Sequence, residues 1–68
     1  MARDEHPIER AQVWRHVISK RESVILSTPE PGEVGDRNVI HRSLRRVRWD
    51  SEDHFRRSHT FTGEIRPI

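Results

Sequence analysis

Four arginines, Arg42, Arg45, Arg46 and Arg48, fall within seven residues, with His41 just before them and Trp49 just after. Guanidinium keeps its charge at any physiological pH and presents a planar fork of donors that suits phosphate and carboxylate oxygens. Tryptophan beside arginine is also a composition enriched at binding hot spots. The chemistry on offer is recognition of an anion: the phosphates of a nucleic acid or the carboxylates of an acidic protein surface. No Asn or Gln stands among these side chains to read bases, although arginine itself reads guanine. The alternative is a solvated face whose arginines pair internally with Glu30, Glu33, Asp50 and Asp53.

Other chemistries find less support. His54 and His59 are separated by four residues, which fits the second half of a Cys₂His₂ zinc pattern, but the chain has no cysteine for the first half. They are weak metal candidates, and no metal or cofactor is expected. Gly-x-Ser-x-Gly, a Walker loop and His-Glu-x-x-His are all absent. A core of about fifteen apolar side chains leaves little room for a concave pocket of about 300 Å³ or more. Catalytic residues and a small-molecule substrate are therefore not expected, and the chain reads as a non-enzyme.

A chain of 68 residues has room for one domain and one small core. Net charge is only +2, from 13 basic and 11 acidic side chains, of which twelve are arginine and one is lysine. That ratio suits a GC-rich bacterium or one of its phages. The charges are segregated: residues 37–48 carry five arginines and no acid, residues 28–36 three acids and no base. The longest apolar run, Val24-Ile25-Leu26, is far short of a membrane span of about 18 residues. Met1 to Glu5 lacks the apolar stretch of a signal peptide. With no cysteine, these features point to a soluble cytoplasmic protein that does not engage membranes.

These residues must be held by local structure. Pro7, Glu9 and the stripe Ala11, Trp14, Val17, Ile18 predict a helix over 7–20. Ser23 to Ser27 predicts a short buried strand, and 28–36, with two prolines and two glycines, a flexible acidic loop. Asp36 suits the N-cap of a second helix to Arg48, with Val39, Ile40, Ser43, Leu44 and Val47 inward and His41, Arg42, Arg45, Arg46 and Arg48 outward. Ser51 caps a short third helix, 52–58, with acids in its first turn, arginines in its last and Phe55 inward. Phe61 and Ile65 alternate in a final strand. The expected fold is a single α+β domain over 1–68, with two amphipathic helices and a short third helix packed on a two-stranded sheet.

The functional expectation follows from the second helix. Its arginine face binds a protein partner or a second copy of the chain, as small phage-encoded inhibitors and accessory subunits do. The alternative is a nucleic acid held by phosphate contacts. Eleven acids work against a polyanion partner, so the near balance of charge favours protein. Both readings depend on residues 36–48 being helical.

Overall fold

The computed structural model describes residues 4–28 and 38–67. Five strands and one helix follow in the order β1 (Gln12–His16), β2 (Glu22–Ser27), β3 (Asn38–Ser43), β4 (Arg46–Ser51), α1 (Glu52–Ser58) and β5 (His59–Ile65). They form one antiparallel sheet in the order β4-β3-β2-β1-β5. The first four strands are a meander. Helix α1 then carries the chain from one end of the sheet to the other, where β5 pairs with β1. The protein is mostly β in a small compact domain, and the expected α+β arrangement of three helices on two strands is wrong.

Two of the three expected helices are strands. Within 7–20, β1 takes Gln12–His16, bounded by Ala11 and Lys20 at φ 73° and 64°, left-handed values that no α-helix contains. Val13 and Trp14 suit a buried pleated surface. Ile18, inward on the helical wheel, is 82 % exposed beyond the strand. Gln12, outside the apolar stripe of that wheel, is buried with its amide satisfied. Its Oε1 accepts the Glu9 N–H at 2.8 Å and the Trp14 indole N–H at 3.0 Å, and its Nε2 donates to the Pro7 carbonyl at 2.9 Å.

Residues 38–51 form the β3–β4 hairpin in place of the second helix, with pairs running from Asn38↔Ser51 to Ser43↔Arg46. Leu44 and Arg45 make its turn, and Leu44 takes φ 57°. Asp36 as a helix cap and the loop from residue 29 onward lie outside the described residues.

The other elements appear as expected. β2 is a buried strand, β5 covers the final alternating segment, and the Ser51 hydroxyl caps α1 by accepting the His54 N–H at 3.2 Å. Phe55 enters the core with Trp14, Ile25 and Val39, and Ile8 and Phe61 pack against them. Burying each of these large side chains stabilises the fold by about 1.5–3 kcal/mol. Arg56, also buried, ties α1 to the N-terminal segment. Its Nη1 donates to the carbonyls of Asp4 and His6 at 2.9 and 2.6 Å, and its Nε and Nη2 donate to Glu52 Oε1 at 3.2 and 3.1 Å.

Candidate functional site

Side chains alternate across a strand, so strand pairing assigns each residue to a face of the sheet. Trp14, Ile25, Val39 and Phe61 lie on the face covered by Phe55 of α1. One step along the same face the chemistry changes. Trp14 gives way to His16 on β1, Ile25 to Ser23 on β2, Val39 to His41 and Ser43 on β3, and Phe61 to His59 on β5. On β4 the succession is Asp50, Arg48, Arg46. Because neighbouring strands are antiparallel, all five changes run toward the same end of the sheet. One half of the inner face is the apolar core, and the other is a polar wall.

The polar half is concave. β3 and β5 are three strand spacings apart, about 14 Å in a flat sheet. The rings of His41 and His59 nevertheless lie only 5.4 Å apart between centroids, so the sheet curls around this end. The result is a cleft of about 910 Å³. The small apolar core did not preclude a pocket, because polar side chains build this one.

Among the described residues four arginines line the cleft: Arg21, Arg45, Arg46 and Arg48. None of them forms an ion pair with a described acidic residue. Four of the described acids are ion-paired elsewhere: Glu22 with Arg15 and Arg66, Glu64 with Arg66, Glu52 with Arg56 and Asp53 with Arg57. Asp50 is the single carboxylate among the described lining residues. It accepts from Nε2 of His41 at 2.6 Å, and His54 Nε2 lies 3.8 Å from its other oxygen. Among the described residues the cleft lining therefore carries an excess of positive charge that the near-neutral total conceals.

The hairpin divides the expected site residues. His41, Arg46 and Arg48 share the inner face, with Arg45 at the turn beside them. Arg42 and Trp49 point to the outer face with Ile40 and Val47, and Arg42 lines a separate smaller depression with Val24 and Arg66. The contiguous helical surface containing all four arginines and Trp49 does not exist. Trp14 is fully buried, whereas Trp49 is 73 % exposed.

Three imidazoles form the floor. His59 stacks on Phe55 at 4.2 Å and meets His16 edge-on at 5.1 Å and His41 at 5.4 Å. Burial, reinforced by the neighbouring His41 and His16, lowers the His59 pKa to about 4, against the smaller opposing pull of the Phe55 carbonyl and Asp50. His41 is 2 % exposed, and its Nδ1 has no hydrogen-bond partner. His54 and His59, the weak metal candidates, both line the cleft. Among the described residues, however, no three His, Cys, Asp or Glu side chains are grouped to hold a metal ion.

Sequence reasoning missed Arg21, His16 and the serines Ser19, Ser23, Ser43 and Ser58 of this lining. They come from three separate stretches, the β1–β2 hairpin, the end of β3 and the end of α1, and only the tertiary fold brings them together. Comparison with family models, with curated proteins and with solved structures returns no match to this chain.

Proposed function

We propose that the protein binds nucleic acid, holding the phosphates of a strand in the cleft with Arg21, Arg45, Arg46 and Arg48. The observation that carries this reading is the set of four arginines without ionic partners among the described residues, facing one carboxylate that His41 already engages. Total charge had favoured a protein partner. The local charge reverses that preference, because among the described residues Glu22, Glu52, Asp53 and Glu64 are ion-paired outside the cleft lining and Asp50 alone of the acids stands in it. The role is binding without turnover, and the cysteine-free composition fits work in the cytoplasm. Among the described residues no helix is long and apolar enough to cross a membrane. The test is fluorescence anisotropy with a labelled single-stranded oligonucleotide. Micromolar binding at low salt that weakens steeply as salt rises supports the proposal. No binding at about 50 mM salt refutes it.

One observation favours a second reading, association with a protein partner or a second copy of the chain. β4 is a terminal strand of the sheet, and its outer face exposes Trp49 and Val47, the latter by 54 %. Exposed apolar edge strands invite pairing. An antiparallel copy centred on Trp49 would set Arg48 opposite Asp50 and Trp49 opposite itself. Sedimentation equilibrium tests this: a dimer that Trp49→Lys dissociates supports it, and a monomer at about 100 µM excludes any self-association tighter than about −5 kcal/mol.

A further inference from the structure

The floor of the cleft also specifies which nucleic acid fits. Ser58 Oγ donates its one hydrogen to the helix carbonyls, lying 2.9 Å from the His54 oxygen and 3.3 Å from that of Phe55. With that hydrogen turned to the carbonyls, the same oxygen is left to accept from His59 Nδ1, 2.8 Å away. This network assigns the ring proton of His59 to Nδ1 and a lone pair to Nε2. That nitrogen bonds to no described residue, and the lowered pKa keeps the ring neutral at pH 7.

His16 is set the opposite way. Its Nδ1 accepts the backbone N–H groups of Ile18 and Ser19 at 3.2 and 3.1 Å, so its ring proton is on Nε2. The β1–β5 pairing His16↔His59 places the two rings side by side, 5.1 Å apart and edge-on, in the lining of one cleft. An acceptor thus stands next to a donor, within a ring of guanidinium groups.

A phosphate supplies only acceptors. It suits His16 Nε2–H and the arginines, but it offers nothing to the lone pair of His59. A ligand that satisfies both rings has a hydroxyl close to a phosphate. The ribose 2′-hydroxyl, beside the 3′-phosphate, is such a group, and deoxyribose lacks it. We infer that the cleft takes RNA in preference to DNA, with the 2′-hydroxyl donating to Nε2 of His59 and the adjacent phosphate held by His16 and the arginines. This rests on the nucleic-acid reading and narrows it to a chemical class. DNA covers the same nitrogen without a sugar donor and leaves it unpaired.

The experiment compares labelled oligonucleotides of one sequence, as RNA, DNA and 2′-O-methyl RNA, in anisotropy titrations at about 50 mM salt. The wild type is expected to bind RNA about 3- to 10-fold more tightly than DNA, the range of one net hydrogen bond. The 2′-O-methyl strand, which has lost the donor, is expected to bind no better than DNA. In His59→Phe, which keeps an aromatic ring against Phe55, the ratio of RNA to DNA affinity is expected to fall to about 1. The methylated strand tests the unaltered protein, so the inference stays testable if the variant does not fold. Equal binding of RNA and DNA by the wild type overturns it, as does an RNA preference that survives 2′-O-methylation. Failure of every strand to bind overturns the nucleic-acid reading instead.

Discussion

Replacing Arg46 and Arg48 together with glutamine should change the salt dependence of binding by a calculable amount. Both side chains lie on the inner face of β4 and line the cleft with Arg21 and Arg45. If each arginine neutralises one phosphate of a single strand, the slope of log K against log salt is about −0.7 per contact, or about −2.8 for four. Removing two contacts leaves about −1.4. Between about 50 and 200 mM salt the wild type should then lose affinity about 50-fold and the double variant only about 7-fold. Anisotropy titrations at four or five salt concentrations measure both slopes. Arg42→Gln is the internal control. Arg42 belongs to the same run of sequence, but β3 turns it to the opposite face. Its slope should match the wild type. A slope lowered as much by Arg42→Gln as by a single inner-face change would refute the division of the hairpin into two faces, and with it the cleft as the binding surface.

Three further predictions concern the fold that builds the site. His59 has a folded pKa of about 4 against 6.5 for the free side chain, so the unfolded chain binds its proton more readily. Stability should be unaffected by this group above about pH 6.5, fall by about 2 kcal/mol on acidification to pH 4 after allowance for solvent reaching the cleft, and level off below. Urea midpoints measured across that window test this, and His59→Phe should remove the dependence. Arg56→Ala breaks a largely buried ion pair and strands two carbonyls. It should cost about 2–3 kcal/mol by urea denaturation, less than the ~3–5 kcal/mol of a fully enclosed pair because Glu52 keeps part of its surface in water. Leu44→Asn should stabilise by about 0.5–1 kcal/mol, because asparagine tolerates the left-handed turn conformation better than leucine. Thermal melting should show a rise of about 2–8 °C.

The parts of the fold legible in the sequence are those whose local signals agree with their surroundings. Ser51, the acids after it and Arg56 and Arg57 mark α1 by cap and dipole. Val24-Ile25-Leu26 is β-branched and apolar enough to mark β2. The hairpin was illegible for two reasons. Its turn residues, Leu44 and Arg45, lack the glycine or asparagine that announces a tight turn, and Leu44 takes the left-handed conformation unaided. Its inner positions on β4 hold arginine and aspartate, because at that end the inner face is a cleft wall and not a core. Hydrophobic alternation is absent where inward does not mean apolar, and a helical wheel then sorted the same residues plausibly. Gln12 misled similarly: a buried amide with all its bonds made looks in sequence like a surface residue. For the site, the arginine cluster was visible, but its partition between two faces and its meeting with His16, Arg21 and His59 follow only from strand order.

The most direct measurement is an NMR titration that follows arginine Nε–Hε and histidine ring signals as a short single-stranded RNA is added. Arg46, Arg48 and His16 should shift together and saturate at one stoichiometry, while Arg42, Arg57 and the Trp49 indole stay in place. Shifts concentrated on Arg42 and Trp49, or none at the inner face, would contradict the assignment of the cleft as the phosphate site.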